Sequence, residues 1–280
     1  MIDGEQLRAL QFVRVLERIS SRQNSLVRQF RAVAQGDVTD RMLLDGEHLI
    51  EEAIEAGLNI EVAAFSERVA ERPLMRRLPS ETRKVVVSDA VLNAISPVQS
   101  PSGAVAIASR PLLGLDRALA RAPQLILLLH EVQDPGNIGA IVRAAEGCGA
   151  TGIVCSERTA DPFGWKALRG SMGSSFRVPV ATRQPAAETI ASARGRGLRI
   201  FATSAHGGTP LPQCNLRIPA VIVLGGEGAG LPAAIMDLAD ERLTIPMQPP
   251  VESLNVAIAA ALVTYEAARQ RHPDRVHVAV

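Results

Sequence analysis

Apolar positions along the chain follow two different rhythms, and the change between them divides it. In the second half, short apolar runs recur with helical stretches between them: Leu125–Leu129, Gly152–Cys155, Arg199–Thr203, Ala220–Leu224 and Leu243–Ile245. Runs such as LILLL and AVIVL lack the polar alternation of a half-solvated strand and fit strands buried on both faces. Their alternation with helical stretches predicts an α/β fold whose mostly parallel sheet carries helices on both faces. The first half is less regular. Leu7–Ile19 shows a rough helical stripe, and ISSRQNSLVRQFRAV predicts a second helix beginning near Asn24. From Arg41 the pattern predicts a strand at Met42–Leu44, a helix at Glu47–Ala56 ended by Gly57, and a strand at Ile60–Phe65. A charged segment, Ser66–Arg77, precedes a strand at Val85–Val87, a helix at Asp89–Ile95 and a strand at Gly103–Ala108. This makes a small N-terminal α/β domain. The expected division is a helical leader over 1–36, the small domain over 37–110, a linker over 111–123, the larger domain over 124–272 and a tail over 273–280.

Composition narrows the setting. The net charge is only +1, so no overall cationic field marks a nucleic-acid partner. Residues 1–122 hold 16 basic and 16 acidic groups, and any RNA surface there must be a local patch. Residues 1–34 carry six arginines against three acids, a solvated face or an arm for RNA phosphates, with Arg22 among them. The basic residues are arginine except for Lys84 and Lys166, and the guanidinium is the better fork for phosphate. The three cysteines form no CxxC pair. With no apolar run near the ~20 residues of a membrane span, this predicts a reduced, cytoplasmic protein with no membrane segment. No metal site is expected.

Three stretches at the ends of predicted strands could carry chemistry. In HEVQDPGNIGAIVRAAEGCGATGIV, Asp134, Pro135 and Gly136 make a turn and Asn137 suits a helix cap. Ile138, Ile141, Val142 and Ala145 form a buried stripe, and Arg143 lies off it beside Gly139 and Ala140. A guanidinium over a small-residue groove near a helix N-terminus suits a phosphate. The second stretch is Gly225–Gly230, where Glu227 is the only charged side chain. Gly228, Gly230 and Ala233 also satisfy the dinucleotide pattern G-x-G-x-x-A, although Pro232 sits inside it. In the third, after Leu243–Ile245 and a proline-rich loop, Ser253 is the expected cap of a helix. Its Leu254, Ala257, Ile258, Ala261, Leu262 and Tyr265 share a face, and Asn255 is the candidate to meet a ligand.

Together, DPGNIGAIVRAAEGCGA, LGGEGAGLP and IPMQPPVESLNVAIAAALVTYEA resemble the three motifs of the SPOUT-class, SpoU/TrmH-type RNA ribose 2′-O-methyltransferases. The first half is similar to that family's L30e-like substrate-binding domain, around LLDGEHLIEEAIEAG and SPVQSPSGAVAIA, and ISSRQNSLVRQFRAV to the leader of its rRNA-modifying members. The resemblance implies a deep C-terminal trefoil knot, S-adenosylmethionine as cofactor, a homodimer that completes the site, and structured RNA as substrate, ribosomal 23S RNA before tRNA. It carries Asn137, Arg143, Glu227, Ser253 and Asn255 over as active-site residues. Leu224, Gly225, Gly226, Glu227, Ile245, Met247, Ser253, Leu254 and Ala257 would line the cofactor pocket. Arg143, Arg22 and either Arg169 or Ser171, in WKALRGSMGSSFRVP, would meet the substrate. A catalytically silent RNA-binding protein of the same fold and a nucleotide-dependent oxidoreductase are the competing readings.

Overall fold

The computed structural model describes residues 16–70, 73–122, 124–228 and 230–272. They form two units. One takes in the described residues up to Pro111 together with Phe163–Arg169; the other takes in Leu112–Pro162 and the described residues from Gly170 onward. Residues 1–15, the expected tail 273–280, and Glu71, Arg72, Pro123 and Ala229 lie outside the described residues.

The first unit is built on a five-stranded mixed sheet: β1 (Glu17–Ile19), β2 (Arg41–Asp45), β3 (Ile60–Ser66), β4 (Arg83–Val87) and β5 (Ala104–Ser109), in the order β1-β4-β3-β5-β2. β1 and β3 run parallel to β4, while β5 is antiparallel to β2 and β3. The helical stripe read over Leu7–Ile19 fails at its described end, where Glu17–Ile19 pairs with Val85–Val87 and Ile19 enters the core. A strand partner thus overrides a weak local pattern. Helix α1 (Ser25–Gln35) begins as expected: the Asn24 side chain accepts from Leu26 N at 2.9 Å. It ends at Gly36, whose φ of +83° supplies the left-handed turn. Helices α2 (Glu47–Glu55) and α4 (Asp89–Ile95) follow the apolar pattern. Between them α3 (Pro73–Arg77) forms within the charged segment because Leu74 and Met75 are buried. Leu26, Val27, Phe30 and Val33 of α1 share one apolar core with Val91, Leu92 and Ile95 of α4 and with Val85, Val105 and Ile107 of the sheet.

The second unit carries seven strands, all paired in parallel, ordered β10-β12-β9-β11-β6-β7-β8. They are β6 (Leu125–His130), β7 (Gly152–Cys155), β8 (Val180–Ala181), β9 (Arg199–Ser204), β10 (Thr209–Pro210), β11 (Ala220–Gly225) and β12 (Glu241–Thr244). The two-residue strands β8 and β10 are too short to show a period in the sequence. The linker read over 111–123 contains α5 (Leu115–Ala118), whose Ala118 joins Leu119, Ile126, Val154 and Ile190 in the core. On β11, Val221 and Val223 point into that core, yet Ala220, Ile222 and Leu224 are equally buried, so both faces are covered. Helix α6 (Pro135–Gly147) buries the expected Ile138, Ile141, Val142 and Ala145. Helix α7 (Trp165–Ser171) falls mostly within the Phe163–Arg169 segment of the first unit; α8 (Ser174–Arg177), α9 (Ala186–Gly195) and α10 (Ala233–Met236) precede the last, α11 (Val256–Arg271), which lies against α6 and β11.

Candidate active site

The loops that leave the carboxyl ends of β9, β11 and β12 meet around a cavity of about 660 Å³. Ligands of open parallel sheets bind at this end of the strands. The cavity is walled by Leu224, Gly225, Gly226, Glu227, Ile245, Met247, Ser253, Leu254 and Asn255, and also by Thr203, Ser204, His206 and Glu252. The last four were not singled out from the sequence; their position after β9 and before α11 was the available signal. Ala257 is buried and lies outside the cavity lining.

Gly225 and Gly226 let backbone pass where a side chain could not. A Cβ at Gly225 would stand 2.5 Å from the carbonyl carbon of Gly230, and one at Gly226 would run into the carbonyl oxygen of Glu131. The Gly226 amide donates to the His130 carbonyl at 2.9 Å, fixing the β11 loop against the end of β6. Glu131 itself adopts φ +56°, held by Ser156 and Thr159, whose side-chain oxygens accept from its amide at 3.0 and 3.1 Å. Burial holds the His130 imidazole below its usual value, so it is neutral at pH 7.

Asn137, Glu227 and Asn255 form one hydrogen-bond relay across three loops. Asn255, rather than Ser253, caps α11: its Oδ1 accepts from the amides of Ala257 at 2.9 Å and Ile258 at 3.4 Å. That leaves its Nδ2 to donate to Asn137 Oδ1 at 3.1 Å, and Asn137 Nδ2 to donate to Glu227 Oε1 in a short bond. The cap therefore fixes every amide orientation in the series, which ends on an acceptor, the Glu227 carboxylate. Asn137 is not the cap of α6 either. Asp134 holds that place, with Pro135 at the first helical position and its carboxylate accepting from Asn137 N at 2.8 Å. Both corrections have one cause: two good capping residues lie close in sequence, and the true cap frees its neighbour's side chain, Asn137 for the relay and Ser253 for the cavity wall.

Arg143 projects from the exposed face of α6, six residues beyond Asn137, or about 9 Å along the axis. It has no hydrogen-bond or ion-pair partner among the described residues and does not line the cavity of its own chain. The groove read beside it is partly filled: Gly139 is buried, and a Cβ at Gly170 would come within 3.2 Å of its Cα. Ser171 is fully buried and accepts from the Ser175 hydroxyl at 3.1 Å, which fits packing and removes it from any substrate. Arg169 instead donates to the buried Asp45 at 3.3 Å; Ser96 Oγ donates to the same carboxylate at 2.5 Å, while burial pushes that carboxyl's pKa up. Arg22 is exposed on the first unit. The apolar residues read as one face of α11 divide: Ala257 is buried, with Val256, Ala260, Val263 and Ala267, while Ile258, Leu262 and Tyr265 are 53%, 41% and 51% exposed. Among the described residues no group of three His, Cys, Asp or Glu side chains converges as metal ligands would, and no helix is long and apolar enough to cross a membrane.

Comparison with known proteins agrees with this geometry. Residues 124–265 match the SpoU rRNA Methylase family, and residues 27–106 match the MRM3-like substrate binding domain. The 23S rRNA (guanosine(2553)-2′-O)-methyltransferase RlmP of Bacillus subtilis is 30% identical over 258 residues, covering 89% of this chain and 98% of RlmP. The SpoU methyltransferase AviRb from Streptomyces viridochromogenes, solved in complex with AdoMet, superposes with a TM-score of 0.81 at 28% identity, covering 89% of this chain and 98% of AviRb. An RNA 2′-O ribose methyltransferase structure superposes with a TM-score of 0.78 at 31% identity, covering 91% and 99%. The fold read from the sequence, a mostly parallel α/β sheet with a C-terminal knot behind a smaller α/β domain, is that of these enzymes. The chain belongs to the SpoU rRNA methylase family.

Proposed function

We propose that this protein transfers a methyl group from S-adenosylmethionine to a ribose 2′-hydroxyl of structured RNA. Large-subunit ribosomal RNA is the substrate class and tRNA the alternative. The observation that carries this reading is the relay Asn255–Asn137–Glu227, which ties the loops after β6, β11 and β12 together at the rim of the cavity. The glycine cradle fits the cofactor: main-chain groups at Leu224, Gly225 and Gly226 can approach it closely, and Ile245, Met247 and Leu254 offer it apolar surface. When bound, the cofactor supplies an electrophilic methyl group on a sulfonium.

A ribose hydroxyl is a poor nucleophile, so the protein must orient it in line with that methyl and provide for its proton. We assign the orienting to Asn137 and Asn255, whose donors and acceptors are fixed by the relay, and the ordering of the Gly225–Gly230 loop to Glu227. Ser253, on the cavity wall, holds the cofactor loop. Guanidinium stays protonated, so Arg143 grips the target nucleotide's phosphate, and that phosphate or a water takes the proton.

Arg143 stands outside its own chain's cavity, and an apolar stripe of Ile258, Leu262 and Tyr265 is exposed on the helix packed beside α6. Both features support a homodimer in which the partner subunit's Arg143 completes each site. The setting is cytoplasmic, and the first unit is the L30e-like RNA-binding domain. The Arg143→Ala variant is expected to lose methyl transfer while binding S-adenosylmethionine with wild-type affinity by calorimetry. Unchanged turnover would refute the assignment.

A further inference from the structure

Several arginines of the first unit are neutralised by carboxylates. Arg18 pairs with Glu67, Arg41 with Glu61, Arg68 with Asp89, Arg77 with Glu51 and Glu55, and Arg83 with Glu17. Arg22, Arg28 and Arg31 differ: none has a carboxylate partner among the described residues. Helix α1 itself carries no acidic side chain. Arg28 and Arg31 are three residues apart, so they are neighbours on one exposed face, where like charges cost a few tenths of a kcal/mol. A local cost without a visible gain points to use by something outside the chain.

Two of the three are held by backbone. Arg22 Nε donates to the carbonyl of Ala90 at 3.0 Å, and Arg31 Nε to the carbonyl of Ala94 at 2.9 Å. Ala94 lies in the last turn of α4, where carbonyls lack helical partners, so Arg31 also satisfies a helix end. Because each bond uses Nε, the two terminal nitrogens of both forks remain available. The anchoring carbonyls are four residues apart on one helix, about 6 Å along its axis. Anchors at that interval suit side chains that reach successive phosphates of one RNA strand. α1 and α4 share a core, which makes the spacing a property of packed elements rather than of free side chains.

We propose that Arg22, Arg28 and Arg31 form a phosphate-reading surface that seats one strand of the substrate RNA on the α1–α4 face of the first unit. This rests on the RNA-methyltransferase reading and locates its substrate contact outside the catalytic cavity. The surface reads backbone and not bases, so it contributes affinity without sequence preference.

The test uses the full-length protein and an unmodified 23S rRNA transcript. Arg28→Gln, whose side chain has no partner among the described residues to lose, and the Arg22→Gln/Arg28→Gln/Arg31→Gln triple variant are compared with wild type. Each neutralised arginine should reduce the slope of log affinity against log salt by about 0.7–0.9. The triple variant should raise the KM for RNA roughly tenfold or more, with kcat at saturating RNA and the affinity for S-adenosylmethionine unchanged. Wild-type RNA affinity and salt slope in both variants would overturn the proposal. A wild-type protein that binds the transcript with the arginine-dependent slope but methylates no RNA would overturn the enzymatic reading and leave the surface standing.

Discussion

The Asn255 side chain does two jobs with two atoms, and substitution can separate them. Its Oδ1 caps α11 and its Nδ2 starts the relay. Asn255→Ala removes both and should lower stability by about 1 kcal/mol, a fall in Tm of roughly 2–4 °C. Asn255→Asp keeps an acceptor for the cap but turns the donor into a second acceptor opposite Asn137 Oδ1. Its Tm should match wild type while kcat/KM falls at least about tenfold, or 1.4 kcal/mol. Equal activity in the Asp variant would remove the relay from catalysis. Gly226→Ala tests the cradle: its new Cβ meets the Glu131 carbonyl, so the loop must shift, and affinity for S-adenosylmethionine measured by calorimetry should drop roughly tenfold or more. At this scale the sequence was informative about which residues matter and misleading about what they do. Asn137 and Ser253 looked like caps because Asn and Ser make good ones, whereas the cap acceptors are Asp134 and Asn255. Only coordinates show which of two adjacent capping residues has its oxygen on the helix amides.

The elements were legible where an apolar run exceeds about four residues and is buried on both faces. Leu125–Leu129 and Ala220–Leu224 fall within β6 and β11, and Asp89–Ile95 matches α4 end to end. They were illegible where tertiary partners decide: Glu17–Ile19 is a strand only because β4 lies beside it, and β8 and β10 are two residues each. α11 shows a different limit. The apolar positions of one helical face do not share one environment: the buried positions include three alanines, and the larger Ile258, Leu262 and Tyr265 face out. Small residues allow close packing against α6, while the exposed apolar stripe is the surface on which we propose that a second copy docks. Leu262→Arg should therefore shift the protein toward monomer in light scattering at micromolar concentration and reduce methyl transfer in parallel. A variant that scatters as a dimer, or is fully active as a monomer, would contradict a shared site.

For the whole molecule, a net charge of +1 conceals an uneven distribution: acids pair with many arginines, while Arg22, Arg28 and Arg31 at α1 and Arg143 on α6 have no carboxylate partner among the described residues. Sequence counting found balance over residues 1–122 and could go no further, because pairing is a matter of side-chain placement. The central claim is tested most directly by incubating wild-type protein and Arg143→Ala with S-adenosylmethionine carrying a labelled methyl group and an unmodified 23S rRNA transcript. The RNA is then digested to nucleosides and read by mass spectrometry. The account predicts label in a 2′-O-methylnucleoside with the wild type and none with the variant. Label on a base, or equal 2′-O-methylation by both proteins, would contradict it.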